Sequence, residues 1–292
     1  MGEIVGAGLL AHVPTIVLPD AERRALNHGR ESSLYTGLHD LRREVFDALD
    51  ADLVIVLDSH WFTTVEFVIT AASRRRGYFT SEELPRGMSS VPYDIPGDPE
   101  FAQRAGQIAA ATPQCWLTPI DDPHLPITYA TTNFLGFLQG DERWVSVSVC
   151  QTAQPEDFAT IGRVLGEAVA RSDRRAVLIA SGALSHTFHP LRTLRDHEAA
   201  DEENIFSPAA RAADHAVIDA LERGDHARVL DGLPDFLTHR PEGRFGHYQM
   251  MVAALGGPDC VAPGRRFSEY ENAIGTGQVH LWFDRPAAGW TR

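Results

Sequence analysis

The segment LVIVLDSHW, residues 53–61, runs five apolar residues straight into Asp58, Ser59, His60 and Trp61. IVGAGLLAHVP, residues 4–14, repeats the pattern and ends on His12 before Pro14, while AVLIASGALSH, residues 176–186, passes from an apolar run to Ser185 and His186. Imidazole is both the commonest metal ligand among side chains and the group that exchanges a proton near neutrality. A backbone-bonded structural role competes for each of these histidines. A pair at equivalent strand ends, His12 and His60, nevertheless favours a metal. Two histidines and one carboxylate leave positions open on Fe(II) for a substrate together with dioxygen. Zinc hydrolases draw on the same donor types, although the sequence has no HExxH helix.

The elements that must carry these residues are legible from their periodicity. Short apolar runs rich in β-branched residues predict strands buried on both faces. Ligands in open α/β sheets bind beyond the carboxyl ends of the strands, where strand-terminal histidines can converge. Between the first two runs, Leu34, Leu38, Leu41, Val45 and Leu49 recur every three or four residues, predicting an amphipathic helix over 31–50. The resulting β-α-β start favours parallel strands covered by helices. Further helices are expected from Asp98 to about Ala111, near 125–138 and near 155–171, with strands at CWLTPI, at 144–149 and at VLIASG. Residues 200–256 read as helical, and GQVHLWF as a closing edge or half-buried strand. Residues 74–98, with three prolines and three glycines, read as a long excursion that is neither helix nor strand, either lining a site or decorating the surface. The whole, residues 1–292, reads as one α/β domain with a central, mostly parallel or mixed sheet flanked by helices.

Composition narrows the function classes. With 26 basic against 40 acidic residues the formal charge is -14, which repels phosphate backbones and speaks against nucleic acid. Cys115, Cys150 and Cys260 are odd in number and widely spaced, as expected of a reducing, cytoplasmic location. No apolar run approaches a membrane span of ~18 residues, and no basic start precedes an apolar stretch. GAGLLA lacks the third glycine of a dinucleotide fingerprint. Among the remaining histidines, His39, His215, His226 and His239 read as solvated, His197 as part of an exposed charged turn, and His280 as a strand residue.

Taken in order, AHVP (11–14), NHGR (27–30), DSHW (58–61), FTSEELP (79–85), ASGALSH (180–186) and GTGQV (275–279) resemble the class III, LigB-type extradiol ring-cleavage dioxygenases, and within them the 3,4-dihydroxyphenylacetate 2,3-dioxygenase group. The resemblance spans nearly the whole chain and implies a LigB-like fold. It also implies non-haem Fe(II) held by His12, His60 and a glutamate before a carboxyl-terminal helix, here Glu242 of PEGRFGHYQMMVAAL; Glu269 and Glu271 are the weaker choices. A first-turn acid favoured by the helix dipole is the plain alternative for Glu242. By the same resemblance His186 is the acid/base residue, and Tyr129 of ITYAT stands where relatives carry a catalytic tyrosine or histidine. Thr128 and Ala130 replace the usual neighbours of that residue, and His124 is a nearby loop histidine.

The implied partners are a small aromatic substrate and dioxygen, with assembly as a homo-oligomer. Arg74 to Arg76 and Arg86 offer pairing for a substrate carboxylate. A 2-aminophenol would chelate iron as a catechol does. A zinc hydrolase or a non-catalytic subunit on the same fold stays open at this stage.

Overall fold

The computed structural model describes residues 1–291. Its strands are β1 (Glu3–Leu10), β2 (Leu53–Thr63), β3 (Phe67–Thr70), β4 (Arg74–Phe79), β5 (Val91–Pro96), β6 (Leu117–Ile120), β7 (Arg143–Cys150), β8 (Arg175–Ser181), β9 (Gly264–Arg266), β10 (Glu271–Ala273), β11 (Thr276–Gln278) and β12 (Leu281–Asp284). Eight of them form one sheet in the order β6-β3-β7-β2-β8-β1-β12-β9. The central run β7-β2-β8-β1 is parallel, whereas β3 lies antiparallel to β7 and β12 antiparallel to β1. The sheet is therefore mixed.

Alternation along β2 shows how the sequence builds two layers. Leu53, Ile55 and Leu57 join Phe101, Phe158 and Met250 on one face, and Val54 and Val56 join Leu34, Leu38 and Phe134 on the other. Successive side chains on a strand point to opposite faces, so a continuous apolar run is what a doubly covered strand requires. Each fully buried Leu, Ile or Val contributes about 1.5–3 kcal/mol through area removed from water. Helices Pro99–Ala110, Pro155–Ala170 and Gly246–Ala254 cover the first face; Ser33–Leu41 and Tyr129–Leu138 cover the second.

Several expectations need correction. Residues 74–98 contain a β4–β5 hairpin, paired from Arg74↔Pro96 to Phe79↔Val91; Pro92 and Pro96 are tolerated because this two-stranded ribbon has free edges. The closing strand β12 is interior, lying between β1 and β9, with Leu281, Trp282 and Phe283 fully buried. Residues 200–256 break into Pro208–Glu222, His226–Asp231, Leu233–Phe236 and Gly246–Ala254. The helix expected over 125–138 starts at Tyr129, and the one over 31–50 passes through a wider π-type turn at Arg42–Phe46.

Candidate metal centre and active site

β2, β8 and β1 are neighbours and parallel, so their carboxyl ends open side by side. His12 follows β1 by two residues and His186 follows β8 by five. His60 lies inside β2, not beyond it. Pairing with β7 jumps from Asp58↔Ser148 to Phe62↔Val149, so residues 59–61 bulge out of the ladder and re-aim the His60 side chain. Asp58 builds this bulge: one carboxylate oxygen accepts from the backbone of His60 at 3.1 Å and of Trp61 at 2.8 Å. The other accepts from the hydroxyls of Thr128 at 2.6 Å and Thr131 at 2.8 Å, tying the start of helix Tyr129–Leu138 to the same point. Thr128, which departs from the family pattern, is thus absorbed by Asp58.

The state of His12 follows from its neighbours. Ser181 donates its one hydroxyl proton to the Ala130 carbonyl at 2.7 Å, so the contact of 2.9 Å between Ser181 Oγ and His12 Nδ1 must take its proton from the imidazole. The Nε2 lone pair then faces Glu242 Oε1 at 3.3 Å. Asn133 holds the His12 and Val13 carbonyls at 2.7 and 3.4 Å.

Glu242 is buried, its backbone donating to the Leu184 carbonyl at 3.2 Å and its Oε2 accepting from the Ala183 N–H at 2.7 Å. Gly243, Arg244 and Phe245, which follow it, have φ of 53°, 57° and 57°. Left-handed backbone costs roughly 1–2 kcal/mol for each non-glycine residue. This turn is held by the Arg244 guanidinium on the Ala153 carbonyl at 2.7 Å and by Gln249, which donates to the Arg244 carbonyl at 3.0 Å. Beyond it the helix Gly246–Ala254 is buried from Gly246 to Ala253. It can lie this close because a Cβ at Gly162 on the neighbouring helix would meet the Met250 carbonyl oxygen at 2.2 Å.

His12, His60 and Tyr129 are mutual neighbours, with ring centroids 5.9 Å apart for the two imidazoles and 4.1 Å for His60 and Tyr129. The Tyr129 hydroxyl is 2.6 Å from His60 Nε2 and donates to Glu83 at 3.0 Å. Burial opposes charge on His60, but the contact with Glu83 and the nearby charges of Glu242 and Asp58 raise its pKa. Burial also opposes ionisation of Glu242; positive charge on the facing imidazoles, His12 first and then His186 and His247, is what draws that carboxylate well below its usual range. Burial lowers His186, with Glu242 acting against the shift and His12 and His60 with it. Burial, then Glu83 and Glu242, push Tyr129 upward and keep the phenol protonated.

Among the described residues no three His, Cys, Asp or Glu side chains are gathered tightly enough, as they stand, to enclose a metal. His60 Nε2 is turned to the Tyr129 hydroxyl. The donor set fits a divalent cation all the same: a lone pair on His12 and a carboxylate oxygen of Glu242 face each other with no proton between them unless one is added. Such a pair calls for a positive charge, and an imidazole anchored through its other nitrogen is how proteins orient a metal-binding histidine.

The remaining candidates fall elsewhere. Glu271 accepts from the Ser33 N–H and hydroxyl at 2.6 Å each, holding the start of helix Ser33–Leu41, and Glu269 is exposed. His124 is exposed. Arg74 is spent on Asp94 across the hairpin at 2.6 and 2.8 Å, and Arg75 on the Pro126 carbonyl. His226, expected at the surface, is fully buried between the Tyr248 hydroxyl and the Ala262 carbonyl. His197 is half-buried and stacked on His189 at 3.6 Å, not an exposed turn residue.

Three residues near the centre escaped the sequence reading. Asp58 carries one signal, a charged residue two positions from a histidine, whereas Glu83 carries none in its own segment. His247, fully buried with neither ring nitrogen hydrogen-bonded to protein, packs against Gly182, and burial pushes its pKa down to about 3.

A mixed α/β sheet with imidazoles at its parallel strand ends, and a buried carboxylate brought to them by the turn before helix Gly246–Ala254, is an arrangement that metal-dependent enzymes use. Residues 6–278 match the family described as the catalytic LigB subunit of aromatic ring-opening dioxygenase, and the chain belongs to that family. It is 26% identical over 269 residues to 3,4-dihydroxyphenylacetate 2,3-dioxygenase of Escherichia coli, covering 88% of this chain and 91% of that one. It is 24% identical over 307 residues to the 2-aminophenol 1,6-dioxygenase beta subunit of a Pseudomonas species, covering 100% and 97%. The fold matches that of an uncharacterized protein of Escherichia coli K12 with a TM-score of 0.63 at 18% identity, over 96% and 99% of the two chains. The chain is an extradiol ring-cleavage dioxygenase, and its family implies a metal cofactor. Among the described residues no helix is long and apolar enough to cross a membrane.

Proposed function

We propose that the chain cleaves the ring of a catechol related to 3,4-dihydroxyphenylacetate, using Fe(II) held by His12, His60 and Glu242. The supporting observation is the lone pair of His12 Nε2 facing Glu242 Oε1 at 3.3 Å, with the imidazole's other nitrogen committed to Ser181. Bound there, ferrous iron would supply positions for the two adjacent ring oxygens and for dioxygen, together with a path for electrons between them.

The chain's own groups do the rest. His186, whose lowered pKa leaves it neutral near pH 7, takes a proton from one ring hydroxyl and returns it as the ring opens. Tyr129, protonated and beside His60, orients the ring hydroxyls. The carbon–carbon bond next to the diol breaks, both oxygen atoms of O2 enter the product, and a ring-opened semialdehyde leaves. The match to a 2-aminophenol 1,6-dioxygenase beta subunit supports a second reading, in which an amino group replaces one ring hydroxyl. A homo-oligomer in the cytoplasm belongs to the same proposal; the three free cysteines support the location, and the relative named as a subunit supports assembly without specifying identical chains.

The test is metal content of anaerobically purified protein, followed by oxygen uptake with 3,4-dihydroxyphenylacetate, protocatechuate and 2-aminophenol. Iron with one-to-one uptake and a yellow product is expected. Bound zinc without oxygen uptake would overturn the reading.

A further inference from the structure

The β4–β5 hairpin reaches the centre through one side chain. Its tip is closed on itself: the Ser81 hydroxyl accepts from the N–H groups of Glu83 at 3.2 Å and Leu84 at 3.1 Å, Ser81 N–H donates to the Met88 carbonyl at 2.9 Å, and Ser81 and Met88 are fully buried. This aims Glu83 at the site. One carboxylate oxygen accepts from the Tyr129 hydroxyl at 3.0 Å and the other lies 3.5 Å from His60 Nε2, while the side chain is 52% exposed. Glu83 therefore stands at the mouth, between solvent and the imidazole.

A phenol has one proton to donate, and a carboxylate can only accept it. With that proton directed at Glu83, the Tyr129 oxygen offers only lone pairs to the interior of the site, and His60 Nε2 occupies that direction at 2.6 Å. A ring hydroxyl or amino group entering beside His60 would take the same place as donor. We propose that Glu83 is a positioning residue: it holds the Tyr129 proton on its own side, so that Tyr129 meets an aromatic ligand's O–H or N–H as an acceptor. This rests on the ring-cleavage reading and adds to it a substrate requirement, a hydrogen-bond donor at the ring position facing Tyr129.

The test is anaerobic titration of the iron(II)-loaded protein with 4-nitrocatechol, followed by its absorbance change, in wild type, Glu83→Leu, Glu83→Gln, Tyr129→Phe and the Glu83→Leu/Tyr129→Phe double variant. Glu83→Leu is expected to bind about tenfold more weakly, in line with a lost charged hydrogen bond. Glu83→Gln, still able to accept, stays within about threefold, and Glu83→Leu costs nothing further once Tyr129 is Phe. Full loss in Glu83→Gln, an unchanged Glu83→Leu, or the same tenfold loss in the Tyr129→Phe background would overturn the proposal while leaving ring cleavage standing. Failure of wild type to bind 4-nitrocatechol would instead sink the ring-cleavage reading, and this proposal with it.

Discussion

Ser181 and His12, 169 residues apart in the chain, meet at 2.9 Å, and the hydroxyl can only accept from the imidazole because its own proton goes to Ala130. Ser181→Ala removes this anchor without adding bulk. Affinity for Fe(II) or Co(II), measured by titration, is expected to fall 10- to 100-fold, the usual effect of losing a partner that orients a ligand. Unchanged affinity would mean that packing alone sets the ring.

His186 has a different expected signature. Its replacement by alanine should leave metal affinity within a few fold, because it is assigned to proton transfer and not to the metal. Turnover with the best catechol should drop about 10²- to 10⁴-fold, the range for a positioned acid–base group. Loss of metal in His186→Ala, read by metal content, would reassign the residue.

Arg244 holds the left-handed turn that presents Glu242. Arg244→Ala gives up the bond to the Ala153 carbonyl and weaker contacts with Gln151 and Gln154. A stability loss of about 1 kcal/mol in urea unfolding is expected, together with weaker metal binding as the turn relaxes. Arg244→Gly relieves the positive φ and should recover part of the stability but none of the metal affinity.

Acid should destabilise the metal-free protein through His280. This imidazole is fully buried, accepts from the Ala11 N–H at 3.1 Å and donates to the Leu34 carbonyl at 3.0 Å, and burial lowers its pKa to about 4. The unfolded chain, with an ordinary histidine near 6.5, binds the proton first as pH falls. The stabilisation is therefore full above ~6.5 and is lost as pH drops toward 4, on the order of 3 kcal/mol in all. Unfolding midpoints from pH 7.5 to 4.5 should show a shallower decline in His280→Gln than in wild type.

Much of the fold was legible because its central strands are buried on both faces and its covering helices are mostly amphipathic, both patterns local to the chain. The β4–β5 hairpin was not, since alternation in RRRGYF and VPYDIP is masked by arginines that pair across the ribbon with Asp94. The interior position of β12 was hidden too: whether a short strand lies at an edge depends on a neighbour, and β9 supplies it from residues 264–266. His226 misled for a related reason, its polarity being satisfied by two partners, Tyr248 and Ala262, from distant segments.

The amino-acid sequence by itself determined that His12, His60 and His186 follow apolar runs, because side-chain type and periodicity are written in the chain. Its ordered motifs also carried the family resemblance. Tertiary structure alone decided that His60 sits in a bulge shaped by Asp58, that Ser181 leaves His12 Nε2 facing Glu242, and that a hairpin brings Glu83 to Tyr129. At His12 and Tyr129, hydrogen-bond direction and ring orientation depend on groups dozens to hundreds of residues away, and only folding brings those groups into contact.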